Sequence, residues 1–566
     1  MFFSIISTLV LGSLIGSIVA FSVYGFISLI ELLSFIFKSQ TSNISSLIDI
    51  QKFPYEFLIY FIAIPTLVGL FVGYLRNLGE DKRWHGPPDV ILAAHLKNNP
   101  LNIKTGFLTS FASILSISVG GSVGAYGPLV HFGATIGAEI KDLLYKMGDN
   151  QIFLGCGVAA AISSGFGAPL AGLIFAREVI LRHQSLASFA PILVSSLVSY
   201  FITKFFFGFE PIFPSDIGGV NSLKEFPALV ISGIISGLVA VIYIKGLTHK
   251  KFFPNITYVK PIYQPAIAAL ICVMVGIYIP EVLGLGLDTV TNVINGEIFI
   301  RSAIYFLIFK LLLTVICLRM GLIGGVFAPA LFIGGCVGVI LGTIFQFILP
   351  DTNLALFAIA SIAAVGSCVI GGPAANMMII FELTSDYQAT LAAGVSIVFA
   401  SLISSKIIGQ SVFDKVLLNR NIDITIGDEN LILKNLKVKE IFHKDFCILN
   451  EDETVEYTID KLAKKEFAEG YLIDKNNILI NKFELSKLLT LKNKRQSLKS
   501  LKNNRFLKLN ENDNIFNAID KCKTFVGESI PVIGNKNKML GVIGESDLLK
   551  IILDVNNNQR KLEFKN

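Results

Sequence analysis

The first 420 residues are a succession of apolar segments punctuated by Gly and Pro, and this pattern ties the chain to a bilayer more tightly than any single motif. Such segments recur near residues 56–74, 104–119, 128–145, 151–182, 186–207, 226–246, 261–279, 302–318, 328–349, 353–370, 374–383 and 389–409. The chain is 53% hydrophobic and 16% charged, with mean hydropathy +0.65, whereas a soluble globular protein carries about a quarter charged residues. It therefore reads as an all-α polytopic membrane protein over this region. Several segments fall short of the ~20 residues that a crossing helix needs. Helices broken at membrane depth leave backbone groups that only protein or a watery cavity can satisfy, so their abundance points to a transport path rather than to anchors.

Charge divides the chain in two. Residues 430–566 hold 25 of the 48 Lys/Arg and 19 of the 42 Asp/Glu, so the first 429 residues balance at 23 of each and the net +6 belongs to the tail. A block so poor in charge offers no nucleic-acid surface, and the tail's mixture of Lys and acids does not make a basic arm. Cys156, Cys272, Cys317, Cys336 and Cys368 are scattered through apolar segments and Cys447 and Cys522 through the tail. None has the close spacing of a metal or redox pair, so they read as small buried hydrophobes and no metal is expected. The run from Met1 to Phe37 lacks the basic residues that open a signal peptide. It reads as a first membrane helix, long enough to tilt.

The apolar block repeats itself. GAYGP (Gly124 to Pro128) is followed by Gly133 and Gly137, then by GAP (Gly167 to Pro169) and Glu178. GVFAP (Gly325 to Pro329) is followed by Gly334 and Gly338, then by GGP (Gly371 to Pro373) and Glu382. Each Glu lies nine residues beyond its Pro, and the two Pro-to-Pro separations are 41 and 44. Short, interrupted segments in matching positions of two halves mark the substrate site of a transporter, and an odd number of intervening crossings would make the repeat inverted. Two domains are expected, 1–425 in the membrane and 430–566 outside it. The latter alternates short Val/Ile strands with amphipathic helices and reads as an α/β module of two related units. Its size and Lys content place it in the cytoplasm.

A Gly/Pro turn ahead of a helix exposes its first N–H groups and the positive end of its dipole, which attract anions. The candidate ends are His85-Gly86 in WHGPPDVI, GAYGP, GVFAP, and the segment Ser411 to Phe413. Together they can hold a small anion without a Lys or Arg that would trap it, and weak sites favour conduction. Each turn, taken alone, serves equally to let helices pack closely. GGSVGAYGP lacks the Gly-Lys-Ser/Thr ending of a phosphate loop, and no catalytic set of side chains stands in a supporting context, so an enzyme is not expected.

The ordered motifs WHGPPDVI (84–91), GAYGPLV (124–130), GFGAPLAGLIF (165–175), GGVFAP (324–329), FELTSDYQ (381–388) and SVFDKVLLNR (411–420) resemble those of the CLC chloride channel and transporter family over about residues 5–420. The tail is similar to the paired CBS domains that many members carry. The resemblance implies a homodimer in the lipid bilayer, each subunit with one chloride pathway built from an inverted repeat of tilted and partial helices. It places the anion among His85, Gly86, Tyr126, Gly127, Val326, Phe327 and Phe413.

Departures from the family pattern decide the functional expectation. A Ser normally stands at His85, a gating Glu at Tyr126, an inner proton-carrying Glu of the exchangers at Val179, and a Tyr at Phe413. Only GGVFAP is intact, which makes the Val326 and Phe327 N–H groups the firmest ligands. Tyr has a reference pKa near ~10 and does not compete with an anion by charge. Val179 removes the inner proton stop. The expectation is a passive, uncoupled chloride-type channel modulated by its tail; alternatives are a proton-coupled antiporter whose relay has moved, through Glu178 for example, and a nucleotide sensor that no longer conducts. Fluoride export is disfavoured, since that branch keeps an acidic gate. His85 either faces the anion, neutral or protonated, or turns its ring into protein; Tyr126 either gates or packs. In the tail, Asp547 of VIGESDLL and Glu484 of LINKFELSKLL stand at the ribose-contacting position of each CBS unit, with Gly544 and Asn481 in place of the usual Thr. No cofactor is required, and an adenine nucleotide is the candidate ligand there.

Overall fold

The computed structural model describes residues 2–45, 55–96, 100–144, 150–183, 185–208, 213, 217, 219–220, 224–249, 258–501 and 506–564. They form two units, Met1–Ile422 and Asp423–Lys565.

The first unit is helical and its order of elements repeats. The first half comprises α1 (Phe2–Ser45), α2 (Tyr55–Leu78), α3 (Pro87–His95), α4 (Ile103–Ser118), α5 (Tyr126–Leu144), α6 (Asn150–Phe166), α7 (Pro169–Phe175) and α8 (Leu186–Phe207). The second comprises α9 (Glu225–Thr248), α10 (Gln264–Gly276), α11 (Leu287–Ile294), α12 (Ile300–Arg319), α13 (Phe327–Gln346), α14 (Leu354–Ile370), α15 (Pro373–Thr384) and α16 (Tyr387–Ile407), with α17 (Val412–Asn419) closing the unit. Packing repeats as well: α1 and α6 lie on α8 as α9 and α14 lie on α16, and α5 lies on α6 as α13 lies on α14. Seven helices of the described residues are long and apolar enough to cross a bilayer, and others are shorter.

The repeated glycines explain the close α5–α6 and α13–α14 contacts. A Cβ on Gly133 would stand 2.4 Å from the Gly157 carbonyl oxygen, and one on Gly334 would stand 2.6 Å from that of Ser361. Small residues that let backbones touch are how helices bind one another where the solvent is itself apolar. The apolar run 151–182, read as one segment, breaks at Gly167, and 353–383 breaks at Gly371; both glycines are left-handed, with φ +67 and +73. In each case a Pro then opens the next short helix, where its missing N–H costs nothing.

The halves meet along α2–α10 and α7–α15 and at an antiparallel bridge between Gly124 and Gly325. One contact joins the repeat-related acids to the opposite half. Glu178, in a π-helical turn that continues α7 over Ala176–Leu181, accepts the Ala374 and Ala375 N–H groups at 3.1 and 2.6 Å. Glu382 of α15 accepts those of Leu170 and Ala171 at 2.9 and 2.8 Å. Each half therefore caps the short helix of the other, satisfying two N–H groups that no intrahelical carbonyl reaches. The cysteines are all free and, Cys522 apart, buried, and Cys272 of α10 and Cys317 of α12 stand with their sulfurs 3.1 Å apart.

The second unit holds α18 (Asp428–Asn435) and two copies of one βαββα pattern. The first is β1 (Cys447–Leu449), α19 (Val455–Lys464), β2 (Glu469–Ile473), β3 (Leu479–Glu484) and α20 (Leu485–Leu489). The second is β4 (Leu509–Asn510), α21 (Ile515–Cys522), β5 (Ser529–Ile533), β6 (Met539–Gly544) and α22 (Glu545–Phe564). Each sheet pairs its first two strands in parallel and the last two antiparallel. The sheets share a core of Tyr471, Ile473, Leu479, Ile533, Met539 and Val542.

Candidate functional site

Two loops set the geometry at the centre of the membrane unit. The Gly124 and Gly325 amides donate to each other's carbonyls at 2.7 and 2.5 Å. This pair brings the first residues of α5 and α13 together, and the approach leaves no room for a side chain: a Cβ on Gly127 would lie 2.9 Å from the Gly325 Cα. The first N–H groups of both helices lack intrahelical acceptors, and neither helix has an acid in its first turn. Their positive ends are uncompensated.

The α3 and α17 ends differ. Asp89, three residues after the cap Gly86, accepts the Gly86 N–H at 3.0 Å. Ser411 caps α17 and exchanges hydrogen bonds with Asp414 in the same register. An acid at this position offsets the helix dipole, so the four candidate ends are not equivalent.

All four border one cavity of about 190 Å³. His85, Gly86, Tyr126, Gly127, Val326, Phe327 and Phe413 all line it, as do Trp84, Asp89 and Arg420. Arg420 corrects the expectation of a site without a fixed cation. Its guanidinium donates to Asp89 at 2.8 Å, and Arg83 donates to the same oxygen at 2.7 Å. Asp89 is 2% exposed, a carboxylate buried because two cations hold it. Arg182 likewise binds Asp414 at 2.5 Å. Trp84 donates to the Gly321 carbonyl at 2.8 Å, which ties the segment before α3 to the turn after α12.

Tyr126 both lines the cavity and packs. Its ring stacks on Phe166 with centroids 3.6 Å apart and planes at 15°, and Phe327 meets both rings edge-on. Its hydroxyl donates to the Gly165 carbonyl at 3.4 Å. The phenol is thus directed at backbone rather than taking the place of the hydroxyl missing at Phe413. Val179 is fully buried and does not reach the cavity wall.

In the second unit, Asp547 accepts the Gly544 N–H at 2.9 Å and faces His443 at 3.4 Å, while Glu484 pairs with Lys487 at 2.7 Å. Asn481 is buried in β3. A separate polar cluster joins the two sheets. Lys482 binds Glu469 at 2.7 Å, both side chains 5% exposed. Glu469 accepts the Glu528 and Ser529 N–H groups. The Tyr471 hydroxyl donates to the Ser529 carbonyl at 3.1 Å, and its burial raises its pKa.

The seven residues singled out from the sequence all line the cavity, but Asp89, Arg420 and the Asp414–Arg182 pair were not among them. A signal for the acids was present: Gly86-x-x-Asp89 and Ser411-x-x-Asp414 are helix-start patterns. Nothing local could have announced that Arg420 meets Asp89.

The family model described as "Voltage gated chloride channel" matches residues 64–405, and that of the CBS domain matches residues 498–554, the second copy in the tail. The voltage-gated ClC-type chloride channel ClcB of Escherichia coli O81 (strain ED1a) is 24% identical over 414 residues, 72% of this chain and 97% of that protein. Among solved structures, a slow cyanobacterial Cl−/H+ antiporter superposes with TM-score 0.67 at 22% identity, over 73% of this chain and 97% of that one. A eukaryotic CLC transporter does so with TM-score 0.64 at 16% identity, over 97% and 99%. A match over more than half of the chain, joined to this arrangement of helices, means that the protein belongs to the voltage-gated chloride channel (CLC) family of membrane channels and transporters and carries a CBS domain in its C-terminal region.

Proposed function

We propose that the membrane unit is a passive, uncoupled conductor of chloride-type anions, working as a homodimer with its tail as modulator. The observation that carries this reading is the makeup of the central cavity. Uncompensated N-termini of α5 and α13 face it, and the one carboxylate on its wall, among the described residues, is Asp89, already held by two guanidinium groups. Amide dipoles attract an anion at about 0.3–2 kcal/mol per helix end, strong enough for selection and weak enough for release. A stoichiometric exchanger needs a titratable group that alternates between anion and proton. Tyr126 and Val179 offer none, and the Glu178 carboxylate is engaged with α15.

Reconstituted protein tests this. Under a chloride gradient the reversal potential follows the chloride Nernst potential and no proton movement accompanies chloride efflux; a proton flux in constant ratio to chloride replaces conduction with exchange. That second reading draws support from the cyanobacterial protein of similar fold, described as a Cl−/H+ antiporter. In the tail, Asp547 and Glu484 are occupied by His443 and Lys487, which supports a structural or dimerising module over an adenine-nucleotide sensor. Heat released on titration with ATP would reverse that assignment.

A further inference from the structure

On α5, His131 is completely buried and neither ring nitrogen has a hydrogen-bond partner among the described residues. A neutral imidazole carries one donor and one acceptor, and buried polar groups left unmatched are rare enough to demand a cause. The His131 ring stands edge-on to that of His85, with centroids 5.8 Å apart and planes at 73°. His85 lines the central cavity; His131 stands behind it. Of the elements packed against α5, only α3 and the segment leading into it bring charged or titratable groups to bear on His131 among the described residues: Asp89, His85 and Arg83. Asp89 is already shared between Arg83 and Arg420, so its charge is largely spent.

We propose that His131 is a proton-binding site coupled to the anion cavity through His85, so that the protein takes up a proton more readily when an anion is bound. The inference rests on the reading of the cavity as an anion site. Protonation turns His131 into a cation one ring behind the cavity wall, where an anion is the partner available to balance it. Linkage makes the effect reciprocal: an anion that favours the imidazolium is itself held more tightly by it. This device supplies acid sensitivity without a gating carboxylate. The proton resides on a buried helix side chain and need not leave with the anion, which gives pH dependence without exchange.

Trp84 is the sole tryptophan of the chain and lies on the cavity wall, so its fluorescence in the purified full-length protein reports the site directly. Bromide serves as probe. Its apparent affinity should be about fivefold or more tighter near pH 4.5 than near pH 7.5, and adding bromide to weakly buffered protein should draw protons from solution. His131→Gln, which keeps hydrogen-bonding capacity without the charge, should abolish both effects, and His131→Asn provides a second variant. Bromide affinity that is equal at the two pH values, or a difference that survives in both variants, overturns the inference and leaves the anion site standing. Bromide that never perturbs Trp84 overturns the anion site, and the inference with it.

Discussion

Replacing Glu178 and Glu382 in parallel separates a structural acid from a proton carrier. Each carboxylate accepts two backbone N–H groups at the start of the opposite half's short helix. Charge-assisted hydrogen bonds are worth about 1.5–3 kcal/mol each when buried. One bond of each pair is exposed to solvent, so water recovers part of the loss and the helix-cap scale of about 1–2 kcal/mol per Glu→Ala is the better expectation. Unfolding entropy of about 2.1 cal/mol/K per residue, over a cooperative unit of about 400 residues, converts this to a fall of about 1–2 °C in Tm. Glu178→Ala and Glu382→Ala should lose the same amount in thermal melts of detergent-solubilised protein. Glu→Gln at either position retains one acceptor and should lose about half as much. In liposome flux assays Glu178→Gln and Glu382→Gln should leave the pH profile of chloride efflux alike. The reasoning is refuted if Glu178→Gln alters proton movement or pH dependence while its repeat-related counterpart does not, since symmetric caps cannot differ in that way.

Tyr126→Glu should create a carboxylate at the cavity wall that competes with the anion, so chloride efflux gains an inhibition as pH rises through the carboxyl's titration range, about pH 4–6 in a polar site; a pH profile unchanged from that of the unaltered protein counts against the gate assignment. Gly325→Ala places a methyl 2.6 Å from the Gly127 amide nitrogen, which forces α5 and α13 apart, and anion flux should fall by at least about tenfold, the equivalent of ~1.4 kcal/mol. In the tail, Lys482→Met strands the buried Glu469 carboxylate, a loss of about 3–5 kcal/mol. Limited proteolysis of the full chain should then cleave within residues 423–564, with Lys482→Met/Glu469→Gln recovering part of the protection; unchanged cleavage means that the pair contributes nothing.

Much of this protein can be read along the chain because its signals are local. Gly167-Ala168-Pro169 ends one helix and begins another through backbone stereochemistry alone, and Gly371-Gly372-Pro373 does the same in the second half. The +5 and +9 glycines after Pro128 and Pro329 look, in sequence, like parts of a substrate motif. The structure gives Gly133 and Gly334 to helix packing, a role that depends on which helix lies opposite. Tyr126 could be recognised as a departure at a gating position, yet its stacking on Phe166, 40 residues onward, needed coordinates. Cys272 and Cys317 illustrate the same limit, since α10 and α12 approach only because of how the second half folds back on itself.

The sequence by itself determined the bilayer setting, the duplicated helical order and the four helix starts, two of them with a local acid at Asp89 and Asp414, because hydropathy, Gly/Pro stereochemistry and first-turn capping act within a few residues of one another. Tertiary structure alone decided that Arg420 reaches across 331 positions to Asp89, that each half's Glu caps the other, and that His131 stands behind His85 with no hydrogen-bond partner among the described residues. Charges and orphaned polar groups interact through space with a strength set by separation and burial, and neither quantity exists until the chain has closed on itself.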